Sequence, residues 1–265
     1  MTRFWRQRFD VLEIVLVALI CVGGWWALSV TAAQTVPSDE AKTLKRTYGP
    51  ARSSQHGEEW IIRDFFGDRR GGFFLDVGAN HYQRFSNTYF LETALGWEGI
   101  AVEPLVAFAA DYGLHRPRTR FRPFFVSDVS NEQARLYVQE QNSLVSSGDR
   151  RFNEAYGSAP VARDVLTITL TDLLQAEGVE RVDFLNMDIE LWEPKALAGF
   201  DIRRYRPELV CIEAHPEVRQ AILDYFTANG YVVVGRYLRA DIWNLYFTPL
   251  GTPGPSQAAR QGERR

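Results

Sequence analysis

The sequence predicts a doubly wound α/β fold around a mostly parallel, seven-stranded sheet, and three observations carry that prediction. Short β-rich apolar runs alternate with amphipathic stretches through the middle of the chain. Those runs have apolar neighbours on both sides in sequence, as strands of a parallel sheet covered on both faces do. The last two runs lie too close together for a crossover helix, so one of them must be antiparallel. Composition agrees: 46% hydrophobic and 24% charged residues in a chain of 265 exclude wholesale disorder, a collagen-like repeat and a many-pass membrane protein. A formal net charge of -3 gives no electrostatic footprint for nucleic acid, and no nucleic-acid partner is expected. Two cysteines, Cys21 and Cys211, can build neither a disulfide framework nor a zinc site.

Residues 1–33 read as a basic flank and one transmembrane helix. The run 14–30 is uncharged and, at about 1.5 Å per helical residue, spans roughly 26 Å, close to the ~30 Å hydrocarbon core. Trp25 and Trp26 suit an interfacial belt, and Arg3, Arg6 and Arg8 flank the other end. A cleaved signal peptide is the competing reading, through the small residues Thr31, Ala32 and Ala33. Residues 34–57 are polar and have the composition of a linker. The globular domain is expected over 58–248, and the Pro- and Gly-rich residues 249–265 as a disordered tail.

Within the domain, strands are expected in FFLDV at 73, GIAVE at 99, FRPFFVS at 121, VDFLNMDI at 182, LVCIEA at 209, YVVVGRY at 231 and NLYFTPL at 244. Helices are expected over 86–95, 104–113, 171–177 and 216–229, the last stopped by Gly230. The polar stretch 139–153 reads as a surface loop or a lid.

Open parallel sheets bind ligands beyond the carboxyl ends of their strands. The first strand ends in Asp76-Val77-Gly78-Ala79-Asn80, where a glycine lets the backbone turn sharply beside a ligand. The dinucleotide fingerprint is absent, since G-x-G-x-x-G needs three glycines and this turn has one. The second strand ends at Glu103, whose carboxylate can accept both hydroxyls of a ribose.

The stretches LDVGAN at 75, SNTYFLETALGWEGIAVEP at 86, VDFLNMDIELWEPKALAGF at 182 and LVCIEAH at 209 resemble the FkbM-type family of S-adenosylmethionine-dependent methyltransferases, over about residues 73–237. The resemblance implies a class I methyltransferase-like sheet and transfer of a methyl group, commonly to oxygen, with S-adenosylmethionine as cofactor. It places Asp76, Gly78 and Asn80 in the cofactor loop, Glu103 on the ribose, and Ser127 and Asp128 beside the adenine. Asp188 and Glu190 match the family's Asp-x-Glu facing methyl donor and acceptor. Two glycines of the family pattern are replaced, by Tyr82 and by Leu191, and each replacement is compatible with the usual pose only if its backbone angle need not be positive.

The base or acceptor-orienting group is expected among Asp188, His215 and His81. His215 can equally be a turn residue before Pro216, and His81 a polar cap on the next helix. Asp188, Glu190, Glu213 and His215 also admit a reading as a divalent-metal cluster, but their spacing fits no metal motif and no metal is expected. Trp97 is expected to pack between helix and strand, and Trp192 to wall the acceptor pocket. The function expected is a membrane-anchored O-methyltransferase acting on a sugar, glycan or other small hydroxyl acceptor. The alternative is a non-catalytic binding module of the same fold. Charge does not orient the anchor, because Lys42, Lys45 and Arg46 balance the N-terminal arginines. The cytosolic supply of the donor places the domain on the cytoplasmic side.

Overall fold

The computed structural model describes residues 38–50, 53–157 and 159–252. Two compact units divide between Asp39 and Glu40, and the fold belongs to the second, since only Ser38 and Asp39 of the first are described. Among the described residues no helix is long and apolar enough to cross a membrane. This corrects the expected single-pass membrane localisation with a cytoplasmic domain. The segment 14–33 on which that expectation rested lies outside the described residues, as do 253–265 of the expected tail.

In chain order the elements are α1 (Asp39–Tyr48), α2 (Glu58–Phe66), β1 (Phe73–Val77), α3 (Tyr89–Leu95), β2 (Glu98–Val102), α4 (Ala109–His115), β3 (Thr119–Arg122), β4 (Phe125–Val126), β5 (Gln133–Gln139), β6 (Asn142–Ser147) and α5 (Arg150–Glu154). They continue as β7 (Val161–Ile168), α6 (Leu170–Ala176), β8 (Phe184–Met187), α7 (Glu193–Ala198), α8 (Ile202–Tyr205), β9 (Leu209–Glu213), α9 (Arg219–Ala228), β10 (Tyr231–Val233) and β11 (Asn244–Pro249). The main sheet has seven strands in the order β10-β11-β9-β8-β1-β2-β3. All pairings are parallel except those of β11 with β9 and β10. The expected doubly wound sheet, with one reversed strand near its end, is therefore present.

Strand pleat sorts the core into two layers. Leu75 and Val77, Ile100 and Val102, Leu185 and Met187, and Val210 and Ile212 face one way, where they pack with residues of α6, α7 and α9. Phe74, Phe184, Leu209 and Cys211 face the other way, against Ile61 and Ile62 of α2 and Phe90 and Leu91 of α3. The polar stretch 34–57 is not a plain linker, because it carries α1. Ala41, Leu44 and Tyr48 recur at helical spacing there. Ala41 is buried, Leu44 packs on the second layer, and the Tyr48 carbonyl accepts Arg63 Nη1 at 2.9 Å.

The expected third strand divides in two. Pro123 has no N–H for a ladder, so β3 ends at Arg122 in the main sheet and β4 pairs with β7 in a second, four-stranded sheet of order β4-β7-β5-β6. The stretch expected as a loop over 139–153 carries strand β6 and most of α5, held by fully buried Asn153, which donates from Nδ2 to Tyr137 O at 3.0 Å and to Val145 O at 2.6 Å. Trp97 is buried as expected, with Nε1 donating to Arg69 O at 2.8 Å.

One buried polar network ties the loop after β1 to α3 and β3. Arg116, 1% exposed, pairs through Nε with Glu92, and donates to Tyr82 O at 2.8 Å and Thr88 Oγ1 at 3.2 Å. Glu92 also accepts from Arg118 N at 2.8 Å and from the Thr119 hydroxyl. Removing one partner leaves a buried charge uncompensated. Arg116→Ala is therefore expected to lower unfolding free energy by about 3–5 kcal/mol, measured by urea denaturation; a loss under about 1 kcal/mol would mean that the network is dispensable to the fold.

Candidate active site

The carboxyl ends of β1, β2, β8 and β9 open on a cavity of about 360 Å³, closed from the far side by β6. It lies where strand order reverses about β1, between β2 and β8, which is where open α/β sheets bind ligands. Gly78 turns there at φ 80, and a Cβ on it would lie 1.8 Å from Asp188 O. Only glycine satisfies both the left-handed angle and the contact. Gly78 N donates to Val102 O at 2.9 Å, and Asp188 N to Val77 O at 3.0 Å, so the ladder itself holds the three strand ends in step.

Pleat then decides which side chains meet. Glu103 follows β2 one residue past the pair Val77 and Val102, on the face shared by Asp76 and Ala101. Its carboxylate accepts from Asn80 N at 3.1 Å and Leu105 N at 2.9 Å and still faces the cavity. Burial pushes its pKa up to about 7, against the pull of those two N–H groups. Asn186 pairs with Cys211 across β8 and β9, so one pleat further on Asp188 meets Glu213. Asp188 opens on the cavity, and its carboxyl faces that of Glu213. The enclosing protein, and then Glu213, raise its pKa well above the usual carboxylate range.

His215 Nε2 lies 3.1 Å from Glu190 Oε2 and 3.1 Å from Glu213 Oε2. Those two carboxylates push the imidazole pKa up to about 10, so at neutral pH it is a cation and not a base. The oxygen and nitrogen atoms of Glu190, Glu213 and His215 come within 4.8 Å of one another, a set that could hold a divalent cation once His215 gave up its proton.

Of the expected cofactor residues, Gly78, Asn80 and Glu103 line the cavity. Asp76 does not: its two oxygens accept from Thr88 Oγ1 at 2.7 Å and Asn186 Nδ2 at 2.9 Å, under α3. Ser127 and Asp128 lie outside it too; Asp128 accepts from Ser127 Oγ at 3.0 Å and from Lys195 Nζ at 3.3 Å. The residues just before them, Phe124, Phe125 and Val126, are the ones that form the apolar wall. Asp188 and His215 reach the cavity, but His81 does not. Its Nδ1 accepts from Gln83 N at 3.1 Å and Arg84 N at 3.0 Å, which holds the turn of the loop and does not cap the next helix, whose N-cap is Thr88. Trp192 packs on Phe125 with ring centroids 5.3 Å apart and tilted by 38°, and presses on Gly148, behind the wall.

Sequence reasoning did not pick out His56, Glu58, Tyr156, Trp243 or Asn244, all of which line the cavity. None belongs to a motif. Glu58 and Asn244 meet through the fold alone, Asn244 Nδ2 lying 3.5 Å from Glu58 Oε1 across 186 residues of chain.

The two replaced glycines differ in consequence. Tyr82 has no left-handed backbone, so that position needs no glycine. Leu191 does, at φ 72, next to Glu190 at φ 56. The turn is pinned from three sides: Ser147 Oγ donates to Glu190 O at 2.5 Å, Ile189 N donates to buried Glu193 at 3.0 Å, and Glu190 contacts His215.

The family model of the methyltransferase FkbM domain matches residues 76–233, well over half of the chain, and the chain belongs to that family. No curated protein gives a significant match. A solved structure from Pyrococcus horikoshii, described as an RNA methyltransferase, is 16% identical, with 73% of this chain and 82% of that one covered and a TM-score of 0.35.

Because a left-handed angle costs a side-chain-bearing residue about 1–2 kcal/mol, Leu191→Gly is expected to be more stable than Leu191→Ala by about 1 kcal/mol. This reverses the usual order and can be read from thermal denaturation of the pair. Equal stabilities would mean that the turn relaxes in the variants.

Proposed function

We propose that this chain is an S-adenosylmethionine-dependent O-methyltransferase acting on a small hydroxylated acceptor such as a sugar or glycan. The observation that supports the reading best is the continuity of one cavity from Gly78 and Glu103 at one end to Asp188 at the other. The residues present fit the cofactor. The Gly78 turn leaves a cradle that any Cβ would close, Glu103 offers a carboxylate to paired ribose hydroxyls, and Phe125, Val126 and Leu136 offer an apolar wall to a base. When bound, S-adenosylmethionine supplies an electrophilic methyl group on a sulfonium.

The chain's own contribution is placement and proton acceptance. Asp188 accepts the hydrogen bond of the acceptor hydroxyl and takes its proton at a carboxylate oxygen. Its raised proton affinity makes it a stronger base than a free aspartate, closer to what a hydroxyl needs. His215, already protonated, keeps Glu190 and Glu213 in place and is not itself the base. β6 supplies the wall of the cavity opposite the strand ends. The binding-module alternative drew on the replaced glycines. It loses that support, since Tyr82 needs no left-handed angle and Leu191 keeps the turn a glycine would make.

Asp188→Asn is expected to lower kcat by about 10²- to 10⁴-fold while changing cofactor affinity by less than about threefold. Steady-state kinetics against calorimetric titration with the demethylated cofactor would separate the two, and an equal loss in both would move Asp188 to the cofactor.

Glu103→Gln is expected to weaken cofactor binding by about 10- to 150-fold. The wild-type affinity should itself fall as pH drops through about 7, where Glu103 gains a proton and loses an acceptor oxygen. The Gln variant should lack that fall. Titration across pH 6 to 8 reads both, and a flat wild-type profile would remove Glu103 from the ribose.

A further inference from the structure

The acceptor end of the cavity has an unbalanced polar lining. Glu58, Asp188, Glu190 and Glu213 line it, and among the described lining residues none is Lys or Arg. Its cation is His215, whose single Nε2 proton faces two carboxylates at 3.1 Å each and can bond fully to one. Glu213 Oε2 is buried, and its 3.1 Å contact with His215 Nε2 falls short of a full hydrogen bond. The Asp188 carboxyl faces that of Glu213. Such an end has acceptors in excess and asks its ligand for donors and positive charge.

An anionic acceptor fails this test. A phosphate, sulfate or carboxylate would bring more acceptor oxygens and more negative charge against four carboxyl groups with no arginine or lysine to receive it. A neutral sugar supplies donors but leaves the charge unbalanced. An ammonium group supplies three donors, no acceptor and one positive charge. The rim adds a second, independent feature. Trp243 is 46% exposed and stacks on His56 at 5.4 Å, and both line the cavity. An aromatic face at the mouth of an acidic cavity receives either a sugar ring or a cation.

We propose that the methyl acceptor is an amino sugar or similar amino alcohol, its ammonium group seated on Glu213 and Glu190 while its hydroxyl faces Asp188. This rests on the methyltransferase reading above and deepens it. The spread of the ligating atoms, all within 4.8 Å, suits one small cation bridging both carboxylates. A bare divalent metal ion has the same charge requirement, and the experiment separates the two.

Calorimetric titrations of the full chain, preloaded with the demethylated cofactor, would compare kanamycin with its fully N-acetylated form, and separately MgCl2 and MnCl2. The amine is expected to bind at least tenfold more tightly than its acetylated twin. That preference should shrink about tenfold in Glu213→Gln and in Glu190→Gln, two variants being used so that misfolding of one, seen by circular dichroism, does not decide the result. Equal binding of the two forms overturns the proposal. So does a preference unchanged in both variants, which would place the amine elsewhere, or binding of either metal lost in the variants without any amine preference. Failure of the methyltransferase reading is a different result, absence of binding by the demethylated cofactor itself in the preloading step.

Discussion

The carbonyl oxygen of Asp188 occupies the place where a side chain on residue 78 would begin, 1.8 Å from that Cβ position, and the candidate site follows from this closeness. Two parallel strands can end this near each other only if one of them turns away at once through a left-handed glycine. The turn frees the crevice between β1 and β2, and it lets Asn80 N reach the Glu103 carboxylate. It also puts Asp188 on the floor of the same cavity. Cofactor end and acceptor end are thus two sides of one backbone contact.

The rest of the lining is a consequence of pleat and register. Because β1, β2, β8 and β9 are parallel and in step, residues one pleat beyond their last apolar pairs fall on one face at one end. Glu103, Asp188 and Glu213 arrive there together. β11, running the other way, sets Asn244 opposite Glu213, and α2 brings Glu58 beneath it. Gathering carboxyl groups in an enclosed space raises their proton affinity, through burial first and mutual repulsion second. The fold meets this with one imidazolium between Glu190 and Glu213 and with backbone N–H groups on Glu103. The second sheet is more than an ornament on this frame: through Ser143 to Asn80 and Ser147 to Glu190 it closes the cavity and pins the turn that carries Leu191.

Particular residues show how far sequence reasoning reached. Six of the seven strands of the main sheet were legible because each is largely a run of apolar residues, a signal that buried sheets impose on their sequences, whereas β3, Thr-Arg-Phe-Arg, carries none. Gly78 and Glu103 were legible because strand ends are where ligands sit. The surroundings of Asp76 are visible only in register: it lies beside Asn186 across the β1–β8 pair, and Thr88 folds back over it. Ser127 and Asp128 follow directly on the apolar wall, which Phe124, Phe125 and Val126 form after Pro123 breaks the strand. The helix in the polar stretch was hidden by composition, although Ala41, Leu44 and Tyr48 carried its periodicity.

By itself the sequence determined the fold class, most strands of the main sheet with the helices between them, and the residue types at strand ends, while the second sheet and the two helices before β1 were not legible. These depend on local runs, on glycine and proline, and on alternation within a few positions. Only the tertiary structure decided which polar groups face the cavity and which serve the scaffold, because that depends on hydrogen bonds between strands and on segments far apart in the chain. Asp76 and Glu103 look alike in sequence, each an acid at the end of an apolar run. Neighbours from α3 and β8 take up the oxygens of one, and the turn at Gly78 leaves the other facing the cavity. His56, Glu58 and Trp243 could not be read at all, since nothing near them in the chain states what the fold brings within reach.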